Sequence, residues 1–209
     1  GLSLFDISLI ESISYVLMIV FEIPCGVLAD RIGYRRTMII CNLLYFLSKI
    51  VFWKAYTFGM FLTERILISI VFAGLSGVDT SILYLSAEEG QSQKAFSIFG
   101  TLGTMGMIAA SFICAASVGT NYRFAGWLTI FPYALAAVLP FFLHEVKQQE
   151  EQKQTMHHVL AVLRETVHDR RFLLLIISGG LLSETAHMVT VFLNQPKYTE
   201  TGMDASAIS

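Results

Sequence analysis

The chain has 209 residues, 55% of them in the AVILMFWYC set and only 14% charged, with a mean hydropathy of +0.63. Counting its 15 glycines and leaving out its 8 tyrosines, the apolar share is about 58%, against roughly 45–50% in soluble domains, in which about 25% of residues are charged. A water-soluble core of this size cannot hide that excess, so the composition points to a polytopic membrane protein. The formal net charge of −2 supplies no basic field, and nucleic acid is excluded as a partner.

The first thirty residues lack a basic leader region and carry Asp6, Glu11 and Glu22, unlike a signal peptide. The chain opens on Gly1 almost inside an apolar segment, which reads as a fragment trimmed at its front. A bilayer core about 30 Å thick needs about 20 mostly apolar residues per helix. That criterion predicts an all-α bundle with six spans, over 7–29, 37–56, 59–85, 96–118, 122–143 and 171–193. Short polar breaks separate them, except for the long stretch from His144 to Arg170.

Basic residues set the orientation. Arg31, Arg35, Arg36, Lys94 and the five in the long loop lie on one side, and Lys54, Arg123 and Lys197 on the other. This places loops 30–36, 86–95 and 144–170 in the cytoplasm of a multi-pass cell-membrane protein. The expected division is a five-span bundle over 1–143, a cytoplasmic loop over 144–170, and a further span with its outer loop over 171–209. Within the loop, Met156, Val159, Leu160, Leu163 and Val167 recur every 3–4 residues. They predict a short amphipathic helix on the membrane face or the underside of the bundle.

Ionisable groups inside spans each need a partner or a cavity. In the first span, Glu11, Tyr15, Met18 and Glu22 share one stripe. A stripe with two acids is expected to face the bundle interior or a watery path, lining a cavity. Glu22 and Asp79 fall at nearly the same depth, where two carboxylates would raise each other's proton affinity. They serve either as coupling acids or as fasteners of helix ends. Glu11, Lys49 and Arg65 form a layer nearer the other side, as mutual counter-ions or as ligand contacts. Glu184 lies deep in the last span with His187 three residues on, forming a candidate proton or cation site unless another helix supplies the partner. In the fourth span Gly100, Gly103, Gly106 and several alanines permit close helix packing.

No metal or cofactor is expected. Cys25, Cys41 and Cys114 lie in apolar stretches without CxxC, and His157, His158 and His168 match no ligand spacing. The sequence contains no phosphate loop, nucleophile elbow or HExxH.

The first two spans are joined by Gly26-Val27-Leu28-Ala29-Asp30-Arg31-Ile32-Gly33-Tyr34-Arg35-Arg36. Gly26 admits a close neighbour, Gly33 can take a positive-φ turn, and Asp30 can cap a helix or pair with an arginine. An ordinary short loop obeying the positive-inside bias explains the same residues. The spacing of Gly26, Leu28, Ala29, Asp30, Arg31, Gly33, Arg35 and Arg36 resembles the signature between the second and third helices of the major facilitator superfamily. Phe21 to Gly26 is similar to the lead-in of a bacterial efflux-like branch, and Ser76 to Thr80 with Leu83 and Tyr84 resembles the end of its fourth helix. Leu193 to Pro196 resembles the outer end of a seventh.

The resemblance implies a partial major-facilitator fold holding family helices two to seven. It implies a secondary active transporter of a small organic solute or drug, working by alternating access and proton-coupled, with Gly26–Arg36 as a cytoplasmic latch. Its partners would be membrane lipid, the solute, protons and the missing helices, without which the chain is expected not to transport. Tyr34 and Leu85 replace a basic and an acidic residue of the family pattern, which moves the expected latch to Arg35 with Glu88 or Glu89. The glycine–proline pattern of many drug/proton antiporters is absent from the fourth span. A receptor or scaffold on a carrier fold is the rival class. A membrane enzyme is another, although no convergent nucleophile–base set supports one.

Overall fold

The structure, a computed structural model, describes residues 2–88, 90–117, 122–145 and 169–189. Helix α1 spans Leu4–Ile32, further at both ends than the apolar run predicts. Its start is fixed by a capping box: the Asp6 amide donates to Ser3 Oγ (3.2 Å) and the Ser3 amide to the Asp6 carboxylate (3.0 Å). Hydrogen bonding, not the edge of the apolar stretch, sets this end.

Helix α2 (Tyr34–Lys54) follows after Gly33 alone, so the segment expected to form a loop over 30–36 is a one-residue break. Gly33 has φ +96°, which a side chain would strongly disfavour. The expected continuous span over 59–85 is divided into α3 (Phe58–Leu75) and α4 (Val78–Ser86). The Ser76 amide closes α3 on the Phe72 carbonyl (2.9 Å), and Gly77 turns left-handed at φ +78°. Thr80 Oγ1 then donates to the Gly77 carbonyl (3.0 Å) at the start of α4.

Helix α5 (Ser92–Ser117), helix α6 (Tyr122–Val138) with the 3-10 turn Leu139–Phe142, and helix α7 (Arg170–Met188) complete the described elements. The Asp169 carboxylate caps α7, accepting from the Arg171 and Phe172 amides. Among the described residues, five helical stretches are long and apolar enough to cross a membrane: Phe5–Ile32, Tyr34–Lys54, Phe58–Ser86, Ser92–Ala116 and Arg123–Phe142. They coincide with the first five expected spans, and α7 falls on the sixth. The amphipathic segment 156–167, His157, His158 and His168, and Leu193 to Pro196 lie outside the described residues.

Backbone packing divides the chain into two units, residues 1–104 with 123–156, and 105–122 with 157–209. In the first, α3 is the hub, packing against both α1 and α2. Ser14 Oγ and Ser69 Oγ lie 2.9 Å apart where α1 and α3 cross, and Ser69 Oγ also reaches the Ser14 carbonyl (2.9 Å). Such bonds join helices in a medium where apolar contact gives little preference for protein over lipid. α2 and α3 meet at Gly74, where an added Cβ would lie 2.6 Å from Cys41 Sγ. Near Gly33, the buried residues Ala29, Val78 and Ile82 pack with Tyr34 and Met38, seating the first link on α4.

The apolar stretch of α5 contains no buried residue. A helix this apolar with open faces suits lipid or further helices, not water. Among the described residues, nothing lies within 4 Å of a Cβ placed on Gly100, Gly103 or Gly106.

Candidate functional site

The first constellation is a layer of charge inside the first unit. Arg65 Nη2 on α3 reaches Glu11 Oε1 on α1 at 2.7 Å, a close ion pair. Lys49 Nζ on α2 lies 3.6 Å from Glu64 Oε1, and Arg65 Nε lies 3.5 Å from Glu64 Oε2. Two carboxylates and two cations thus neutralise one another across three helices. The expected layer of Glu11, Lys49 and Arg65 is present, with Glu64 as its centre. The Glu64 side chain is 2% exposed, and its Oε2 accepts no hydrogen bond among the described residues.

Aromatic rings surround Lys49. Its ammonium stands 5.1 Å from the Tyr45 ring centre, 5.2 Å from Tyr133 and 5.9 Å from Phe52. Ring faces carry partial negative charge, so they stabilise an ammonium removed from water. Tyr45 and Tyr133 also contact each other, at 4.4 Å between centres, and tie α2 to α6. Sequence inspection singled out Lys49 and Arg65 but passed over Glu64. The signal was available: an acid beside a base inside an apolar run must find partners on other helices.

The second constellation is the link. Tyr34 OH donates to Asp30 Oδ1 (3.3 Å), so Asp30 pairs with the residue that replaces the usual base. Arg35 does not take the expected partner Glu88, whose carboxylate instead accepts from Gln91 Nε2 (2.6 Å). Arg35 Nη2 donates to the Phe141 carbonyl (2.7 Å), and the Arg35 amide to Glu145 Oε1 (3.3 Å). Arg35 therefore bonds to the 3-10 turn after α6 and to the residue Glu145 beyond it. Glu89 lies outside the described residues. No side chain of Gly33 caps α2, and the Glu145 carboxylate supplies the negative charge that a helix N-terminus favours. It sits where a Cβ on Gly33 would approach within 2.9 Å of Glu145 Oε1.

At Gly26 the expected close approach is not made among the described residues, where nothing lies within 4 Å of an added Cβ. Leu28, Arg31 and Arg36 are exposed. Along the acidic stripe, Glu22 Oε1 accepts from Ser76 Oγ (3.0 Å), which brings Glu22 level with the α3–α4 break. Asp79 Oδ1 accepts from the Thr80 amide (2.8 Å) in the first turn of α4. The two acids thus flank one break while engaging different partners. Tyr15 is exposed and Met18 half-buried. Glu184 and His187 belong to α7, with side chains outside the described residues. No group of three or more His, Cys, Asp or Glu placed to hold a metal occurs among the described residues.

Two comparisons bear on this arrangement. The family model described as Major Facilitator Superfamily matches residues 1–209. No curated protein matches the chain.

Proposed function

The chain belongs to the Major Facilitator Superfamily of membrane transporters, and from that premise we propose that it works in a secondary active carrier. The carrier moves a small organic solute by alternating access, and protons drive it. The single observation that carries this reading is the set of acids placed among apolar helices at structural breaks. Glu22 is exposed on α1 beside the Ser76–Gly77 break, and Asp79 opens the helix that follows it. The Glu22–Ser76 hydrogen bond ties this carboxylate directly to the break between α3 and α4. Glu184 on α7 is the third candidate acid.

The Gly33 link serves as the cytoplasmic latch, released and reformed as two bundles rock about a site near the midplane. The bundle over 1–143, the loop over 144–170 and the helix beginning at 171 belong to this scheme. The side bearing Arg31, Arg35 and Arg36 faces the cytoplasm.

The test uses the complete carrier in proteoliposomes under a pH gradient. Glu22→Gln, Asp79→Asn and Glu184→Gln are assayed singly and together. At least one is expected to abolish gradient-driven flux while leaving exchange of unlabelled for labelled solute. Unchanged pH-driven flux in the triple variant would remove proton coupling from the proposal.

A further inference from the structure

A cavity of about 530 Å³ opens in the first unit, where α1 and α3 begin and α2 ends. Its volume falls within the roughly 300–1,000 Å³ range of ligand sites. Apolar and aromatic side chains form its body: Ile7 and Ile10 from α1, Phe52 from α2 and Phe61 from α3. Its charged lining is Glu11, Glu64, Arg65 and Arg123.

These charges do not balance. Arg65 pairs with Glu11 and Glu64, and Lys49 reaches Glu64 from outside the lining. Two acids thus meet two bases, and Arg123 is left over. Among the described residues no carboxylate lies within ion-pairing distance of its guanidinium.

Arg123 is nevertheless held in place. Its Nη1 donates to the Trp53 carbonyl (3.0 Å) and its Nη2 to the Ala55 carbonyl (3.2 Å), at the end of α2. The guanidinium also stacks 3.6 Å from the centre of the Tyr56 ring. These contacts orient the group without cancelling its charge, because a helix C-terminus carries only about half a negative charge. A guanidinium has five N–H donors, of which the two carbonyls take two, while the ring covers a face and not the in-plane edge. Donors therefore remain for an acid group, and carboxylates and phosphates accept such donors in pairs.

A cation entering the cavity would meet the surplus positive charge and acids that already have partners. A neutral molecule would fill the apolar body and leave Arg123 uncompensated. We propose that this cavity binds an amphipathic organic anion, with its carboxylate or phosphate on Arg123 and its apolar body among Ile10, Phe52 and Phe61. The anion is either a free solute or an acidic lipid. Every part of the site belongs to one unit, so binding there does not rest on the transport reading and is measured without flux.

The test titrates the full 209-residue chain in phosphatidylcholine nanodiscs by ligand-observed NMR, with empty nanodiscs subtracted. The probes are phenylbutyrate, the neutral phenylbutanamide and the cationic phenylbutylammonium. Phenylbutyrate is expected to bind about tenfold more tightly than the amide, the scale of one charge-assisted hydrogen bond, with the ammonium weakest. Ile7 is 40% exposed, so Ile7→Trp can fill the cavity without crowding the core, and it is expected to lose most binding of both acid and amide. Arg123→Gln is expected to bring the acid-to-amide ratio close to unity, while Arg123→Lys, which keeps the charge but not the fork, retains part of it. That ratio is read within one variant, so a smaller folded fraction does not move it. Phosphatidylglycerol added to the nanodiscs separates the two sources: loss of acid and amide together identifies the lipid as occupant, and amide binding that persists identifies a free solute. Equal affinity for acid and amide, tighter binding of the ammonium, full binding by Ile7→Trp, an undiminished ratio in Arg123→Gln, or no binding of any probe each overturns the proposal.

Discussion

The two ends of the first unit are fastened by opposite means. At the cavity end, four charged side chains from α1, α2 and α3 meet in a layer whose central acid is buried. At the link end, the contacts run largely through backbone: an arginine to a carbonyl, a carboxylate to an amide, and a glycine with positive φ between two helices. The first arrangement is costly to break, because its central acid, Glu64, is held away from water and Lys49 depends on it. The second is partly exposed and its bonds are individually weak, so it can open and close. This contrast fits a molecule that keeps one end of a bundle rigid while the other end cycles.

The largest expected effect lies in the charge layer. Glu64→Ala would strand Lys49 among Tyr45, Phe52 and Tyr133 with its carboxylate gone. Removing one partner of a buried pair costs about 3–5 kcal/mol, whereas an apolar replacement of both is often neutral. Glu64→Ala should therefore unfold at much lower denaturant in detergent micelles, and Glu64→Leu with Lys49→Met should recover most of the loss. If Glu64→Ala unfolded at the wild-type midpoint, the layer would not be what holds this end.

How much of this was legible in sequence differs between the ends in the same way. Apolar length alone located the five spans, because a bilayer demands about 20 such residues whatever the neighbours are. Gly33 was legible as a turn, since few residues tolerate its φ. Glu145 was not, because a carboxylate 110 positions from Arg35 is tied to it only by the fold. Nor was the division of α3 from α4, where the glycine that breaks the helix sits among residues that would continue it. The tight contact was expected at Gly26 and occurs at Gly74, which sequence could not distinguish without knowing which faces meet.

Gly74 gives the intermediate prediction. An alanine there would put its Cβ 2.6 Å from Cys41 Sγ, well inside contact distance on two packed helices. Overpacking of this kind typically costs about 1–3 kcal/mol. Cys41→Ala in the same chain would remove the obstructing sulfur and restore most of the stability, while Gly26→Ala should have little effect. Equal losses at Gly26 and Gly74 would show that the α2–α3 contact is not the close one.

The smallest effect belongs to Glu145, and its dependence on salt is more telling than its size. The exposed carboxylate faces the N-terminal end of α2 and accepts from the Arg35 amide at 3.3 Å. A negative charge at such a position is worth about 0.3–1 kcal/mol at low ionic strength. Glu145→Gln keeps the shape and an acceptor but removes the charge, so its cost should appear in dilute buffer. In 1 M salt the screening length falls to about 3 Å, and the difference from wild type should nearly vanish. The Glu64 variant should keep most of its deficit in the same salt, because Glu64 itself is 2% exposed and its partner Lys49 only 16%. A Glu145→Gln deficit that ignored salt would mean the carboxylate acts through its direct hydrogen bond to the Arg35 amide and not through charge at the helix end, and the two ends would no longer differ in kind.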